Sequence, residues 1–206
     1  MKKNKLILFD WGNIVEDKDS MEKGWNELFK KLGYKGTENV IPCIRKYELT
    51  GIDTIEKLEE AYNKLKEELY LDKDFNSFLE DYDKIFDKTI YYKDVRDYEH
   101  SLKDKCYIGI LSNLLIIDKK RINKQLDLSK YDYVFLSFEL STRKPYDEIY
   151  KKIMEQVPFD SKDILFIDDS KKNIEVAEKF GWNTLHCTGK ELDLIKEKCK
   201  DFLKED

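Results

Sequence analysis

The chain has 206 residues, 41% of them hydrophobic, with 43 acidic against 38 basic side chains and a formal net charge of −5. Charges of both signs are interspersed, which excludes a basic stripe for nucleic acid and points to a small-molecule partner. No apolar run is long enough to span a membrane, so the length suits one core domain carrying a modest insertion.

In chain order, Leu6 to Phe9 is an apolar run that stops abruptly at Asp10, too short for a secretory signal and typical of a strand buried on both faces. Residues 16–92 then show helical periodicity and no strand signal. Met21, Trp25, Leu28, Phe29 and Leu32 form one stripe ending at Gly33. Ile55, Leu58, Tyr62, Leu65 and Leu69 form a second after Asp53-Thr54, and Phe75, Phe78, Leu79, Tyr82 and Phe86 a third. From Lys93 onward strands and helices alternate. A helix over Val95–Leu102 precedes a strand over Tyr107–Leu111; Asp118 is expected to cap a helix, and Tyr133–Leu136 reads as a strand. Pro145 is expected to open a helix over Tyr146–Met154, Ile164–Ile167 is a strand, Ser170–Phe180 a helix closed by Gly181, and Thr184–Cys187 a last strand. Such alternation predicts an α/β fold with a doubly wound parallel sheet built from residues 1–15 and 93–206, and an inserted helical domain over 16–92. Cys43, Cys106, Cys187 and Cys199 show no C-x-x-C spacing and the histidines are His100 and His186, so neither a zinc site nor a disulfide framework is expected; a reducing cytoplasm fits.

Three apolar runs end in polar residues at one sheet edge: Asp10, Ser112-Asn113 and Asp168-Asp169. A strand-end carboxylate such as Asp10 can attack phosphorus. The adjacent acids Asp168 and Asp169 repel each other, by roughly 4 kcal/mol for unit charges about 4 Å apart at an effective dielectric near 20, and a divalent cation relieves that. Ser112 and Asn113 offer a hydroxyl and N–H groups to phosphate oxygens. Lys144 offers a point charge whose departure direction is restricted by Pro145. Trp11 and the run Leu114-Leu115-Ile116-Ile117 read as packing residues, while Arg45, Glu48 and Arg143 are candidates to reach a substrate.

The order Asp10, Ser112, Lys144-Pro145, Asp168-Asp169, with a helical insertion after the first, resembles the haloacid dehalogenase-like superfamily with a helical cap. More narrowly, Phe9-Asp10-Trp11-Gly12-Asn13-Ile14-Val15 and Ser141-Thr142-Arg143-Lys144-Pro145 resemble its branch of sugar-phosphate phosphatases acting on glucose 1-phosphate. The resemblance implies a magnesium-dependent phosphohydrolase for a small phosphorylated substrate. In it Asp10 is the nucleophile, Ser112 and Lys144 bind phosphate, Asp169 ligates the metal, Asp168 does so directly or through water, and the Gly12 carbonyl completes the set. It also implies that the insertion closes over the site. Two positions depart from the pattern. Gly12 stands where phosphatases of this kind carry an acid-base aspartate, which directs attention to esters that leave without a proton, such as anomeric, aryl or acyl phosphates, or to Glu16 or Asp17 as substitutes. Asn173 replaces a further aspartate and is expected to act behind the metal ligands. A haloacid dehalogenase and a non-catalytic phospholigand-binding protein are the alternatives.

Overall fold

The computed structural model describes residues 3–46 and 49–204, excepting the Arg45 side chain; the expectations for Arg45 and Glu48 as substrate contacts lie outside the described residues. Five strands, β1 (Leu6–Phe9), β2 (Tyr107–Ser112), β3 (Tyr133–Leu136), β4 (Ile164–Asp168) and β5 (Asn183–His186), form one sheet. All pairs are parallel and the order is β3-β2-β1-β4-β5. Because successive side chains of a strand point to opposite faces, Ile7 and Phe9 join one apolar cluster and Leu6 and Leu8 the other. That double burial is why these strands read as unbroken apolar runs.

Ten α-helices accompany the sheet among the described residues. The first four, α1 (Lys18–Lys31), α2 (Ile41–Lys46), α3 (Ile55–Leu69) and α4 (Phe75–Phe86), come from the stretch between β1 and β2 and share a separate apolar cluster centred on Trp25, Phe29, Tyr62, Phe78 and Phe86. Side chains cap the N-termini of α1, α3 and α4, the one at Asp53-Thr54 as the sequence suggests. Asp17 accepts from Ser20 N at 2.8 Å, Thr54 from Lys57 N at 3.3 Å and Asp74 from Ser77 N at 2.9 Å. The others are α5 (Lys93–Ser101), α6 (Lys119–Leu126), α7 (Ser137–Leu140), α8 (Asp147–Met154), α9 (Lys171–Lys179) and α10 (Leu192–Lys204). Residues of α5, α6 and α10 pack against one sheet face, and residues of α8 and α9 against the other.

Several expectations need correction. The helix after Pro145 begins at Asp147 with Tyr146 as an extended cap residue, because Pro145 sits in a turn closed by Tyr146 N donating to Arg143 O at 3.0 Å. Asp118 does not cap α6 with its side chain; that carboxylate is held elsewhere, as described below. Helices α2, α7 and α10 were not expected. Six-residue α2 contains Pro42 and α7 has four residues, so neither shows a strong stripe, whereas α10 places Ile195, Cys199 and Phe202 at helical spacing, a signal that was available.

Candidate active site

Register places the polar strand ends together. Phe9 lies opposite Ile110 on β2 and Ile167 on β4, so Asp10 emerges beside Asp168 and one residue short of Ser112. The central strand β1 is flanked on both sides by crossovers, and ligands of open α/β sheets bind at such switch points beyond the carboxyl ends.

Asp10 is buried, and its Oδ1 accepts from Trp11 N at 2.7 Å and Ser112 Oγ at 2.8 Å, with Lys144 Nζ 3.1 Å away. Oδ2 takes no hydrogen bond among the described residues. Burial pushes this carboxyl up to about 7; Lys144 opposes that shift, and Asp168 and Asp169 add to it. Lys144, 1% exposed, donates to Asp168 Oδ2 at 2.6 Å and to Leu111 O at 2.8 Å. Burial alone would pull its ammonium down, yet Asp10 and Asp168 hold it above the usual lysine range.

Asp168 is fully enclosed. Its Oδ1 accepts from Ser170 N at 2.7 Å and Asn173 Nδ2 at 2.9 Å, while Oδ2 accepts from Asn173 Nδ2 at 3.0 Å as well as from Lys144. Asp169 is half-buried; its Oδ2 accepts from Asn13 Nδ2 at 2.9 Å, and its main-chain carbonyl lies 2.9 Å from His186 Nε2. One carboxylate oxygen from each of Asp10, Asp168 and Asp169 lies within 4.8 Å of the others. An all-oxygen cluster of three acids, with one internal lysine, is the donor chemistry that hard divalent cations take.

The Asn113 side chain is engaged with the segment that carries Lys144, which leaves the expectation for its backbone N–H untouched. Its Nδ2 donates to Lys144 O and its Oδ1 accepts from Lys144 N, both at 2.9 Å, so the side chain clamps the backbone that carries the lysine and is not free for phosphate. Of the substitutes for a missing acid, Asp17 is taken by capping α1 and by the Tyr92 hydroxyl. Glu16 lines the same cavity as Asp10, but its Oε1 accepts from Thr89 Oγ1 at 2.6 Å and from Arg121. Trp11 is buried in the core beneath Arg121, whose guanidinium is 4.4 Å from its ring centroid. Leu114 joins the core cluster and Leu115 the cluster of α1 to α4.

Sequence reasoning missed Asn13 and Arg121. Asn13 has a φ of 58°, a left-handed conformation in which asparagine is enriched, and its place after a glycine was the available signal. Arg121 joins Glu16 to Asp118, whose Oδ1 also accepts from Tyr82 OH at 2.6 Å, so one buried cation bridges the first loop, α4 and α6. Nothing in the spacing of these residues announced that network.

A cavity of about 490 Å³ opens at this sheet edge, lined by Asp10, Gly12, Asn13, Ser112, Lys144 and Asp169 below and by residues of α1 and α2 above. A profile of haloacid dehalogenase-like hydrolases matches residues 7–187, which include every group just described. The chain belongs to that family. Among solved structures, a haloacid dehalogenase family enzyme from Bacteroides thetaiotaomicron in complex with magnesium and inorganic phosphate superposes with a TM-score of 0.70 at 23% identity, over 91% of this chain and 96% of that one. A predicted hydrolase of the same family from Porphyromonas gingivalis gives 0.72 at 17% identity, over 97% and 99%. The L-2-haloacid dehalogenase of Xanthobacter autotrophicus with chloropropionic acid covalently bound gives 0.65 at 17% identity, over 89% and 77%. Solved structures of this fold thus include one in complex with magnesium and inorganic phosphate and one with chloropropionic acid covalently bound.

Proposed function

We propose that the protein is a magnesium-dependent phosphohydrolase that cleaves a small phosphorylated metabolite through an aspartyl phosphate on Asp10. The observation that carries this reading is the acidic cluster itself. Three carboxylates converge within 4.8 Å around a buried lysine, an arrangement that attack on carbon does not require and that a divalent cation would balance.

Asp10, Asp169 and the Gly12 carbonyl would hold the ion. Asp168, with both oxygens bound to Asn173 and its Oδ2 also to Lys144, would support it from behind, with Asn173 as its anchor. When bound, the cation supplies charge neutralisation and Lewis acidity at a phosphoryl oxygen. The protein does the rest. Three donors on Oδ1 leave Oδ2 of Asp10 as the attacking atom, while Lys144 offsets charge on Asp10 and on the phosphate. Ser112 and the backbone near Asn113 orient phosphate oxygens. Attack by Oδ2 forms an O–P bond as the bond to the leaving oxygen breaks, and that oxygen takes a proton from solvent. Water then attacks phosphorus, the bond to Oδ2 breaks, and inorganic phosphate leaves with Asp10 restored.

In this reading residues 16–92 act as a cap over a core of 1–15 and 93–206, excluding bulk water during the reaction. The four free cysteines suit a reducing cytoplasm. The second reading is a haloacid dehalogenase; Gly12 favours it, since no acid-base carboxylate stands there, and so does the fold shared with the Xanthobacter enzyme. Release of inorganic phosphate from a panel of sugar phosphates, nucleotides and small phosphoesters, with and without magnesium, decides between them. Activity that needs magnesium and disappears in Asp10→Asn is expected. Chloride release from 2-chloropropionate without metal, and no phosphate release from any ester, would establish the dehalogenase.

A further inference from the structure

Resting on the phosphohydrolase reading, we infer that the leaving group is aromatic: the substrate is the phosphate ester of a phenol-like hydroxyl rather than of a sugar. Two independent features lead there. The first is the side of the cavity formed by the helices between β1 and β2, where Met21 and Trp25 of α1 and Ile41 and Ile44 of α2, together with Leu115, present an apolar surface. The polar groups of Tyr82, Asp118, Glu16 and Arg121 beside them are already engaged, while Trp11 Nε1 of the same cavity is buried without a partner. Tyr82 OH donates to Asp118 Oδ1, Arg121 donates to Asp118 and Glu16, Leu115 N donates to Asp118 Oδ2 at 3.0 Å, and Thr89 donates to Glu16. A polyhydroxyl leaving group entering this space would lose water from each hydroxyl and find most of the neighbouring donors and acceptors occupied. A flat apolar ring loses nothing of the kind. The other charged residues of the cavity, Lys18, Glu22, Arg143 and Lys172, are exposed or half-buried.

The second feature is Gly12. A Cβ built there would meet nothing within 4 Å, so the position is open and carries no acid. A phenolate departs without prior protonation, because its conjugate acid has a pKa of about 10. Breaking the P–O bond leaves the electron pair on the phenolic oxygen, which then takes its proton from water. An alkoxide from an aliphatic hydroxyl lacks that option. The apolar wall selects against sugars and the absent acid selects against simple alkyl esters; an aryl ester satisfies both.

The test measures magnesium-dependent kcat/KM of the full chain for phenyl phosphate, glucose 1-phosphate, glucose 6-phosphate and acetyl phosphate, with Asp10→Asn as control. Acetyl phosphate needs neither an apolar wall nor an acid, so its hydrolysis reports the phosphoryl chemistry alone. The expected result is a preference for phenyl phosphate over both sugar esters of about tenfold or more, narrowed in Met21→Gln and Ile41→Gln mainly through KM. Binding gives a second readout: phenylphosphonate should perturb the fluorescence of Trp11 and Trp25 at lower concentration than methylphosphonate does. Hydrolysis of acetyl phosphate with equal or better use of a sugar phosphate overturns the aromatic assignment and leaves the phosphohydrolase standing. Inactivity toward all four esters overturns both.

Discussion

Asp10 stands where a buried strand ends, and its two oxygens are unlike: Oδ1 is held by Trp11 N, Ser112 and Lys144, whereas Oδ2 has no hydrogen bond among the described residues. Replacing it by asparagine keeps the shape and removes the nucleophile, so phosphatase activity should fall by about 10³-fold or more in steady-state assays while the thermal midpoint holds or rises. Two residues on, Gly12→Asp should fit without displacement, since nothing lies within 4 Å of a Cβ built there. We expect it to raise kcat/KM for a simple alkyl phosphate by about tenfold or more, a portion of the roughly 10² to 10⁴ that positioned general acids supply, and to change phenyl phosphate little. An unchanged alkyl rate would show that the missing acid is not what limits those esters. Lys144 is the internal counter-charge, and Lys144→Met leaves Asp10 and Asp168 facing each other in a buried site. Denaturant titration should register a loss of about 3–5 kcal/mol. The residues that touch this centre were legible because strand-end acids and a Lys-Pro pair are local signals. The Asn113 clamp and the Arg121 bridge were not, because each is made by partners distant in sequence whose types are ordinary.

At the scale of elements, α5 carries a titration unrelated to the site. Glu99 is 0% exposed, accepts from Tyr131 OH, and is pushed by burial up to about 8 against the opposing pulls of the Tyr131 bond and of Arg96. Folded protein therefore keeps the Glu99 proton where the unfolded chain, with an ordinary glutamate, has released it. Between roughly pH 4.5 and 8 the native state binds more protons, so this group's contribution to stability falls as pH rises, by up to about 1.4 kcal/mol per pH unit. Thermal unfolding of Glu99→Gln followed from pH 5 to 8 should show a flatter dependence than the parent chain and a higher midpoint at pH 8; parallel curves would mean that Glu99 ionises normally. Elements themselves were readable where the pattern was strong: β1, β2 and β4 as apolar runs, and α1, α3 and α4 as stripes closed by good caps. Helix α10 carries Ile195, Cys199 and Phe202 at helical spacing, so it too was readable; the long-range bond from Lys5 Nζ to Phe202 O at 2.8 Å, which adds to its apolar packing, was not. Pro145 misplaced the start of α8 because a proline two residues before a helix and one inside its first turn leave the same trace in a sequence.

Across the whole molecule the two parts of the chain meet at the cavity. The sheet edge contributes the acids and Lys144, the helices between β1 and β2 contribute the apolar wall, and Arg121 ties Glu16, Asp118 and Tyr82 at the seam. Parallel pairing in the order β3-β2-β1-β4-β5 is what brings residues 10, 112, 144 and 168–169 to one point from four separate segments. Their shared purpose, on our account, is to let Asp10 carry a phosphoryl group for part of each turnover. Acid-quenched reaction mixtures, digested and analysed by mass spectrometry, test that most directly. With magnesium and acetyl phosphate the peptide containing Asp10 should gain the mass of one phosphoryl group, and Asp10→Asn should not. Turnover without any label on Asp10 at early times, or continued hydrolysis by Asp10→Asn, would contradict it.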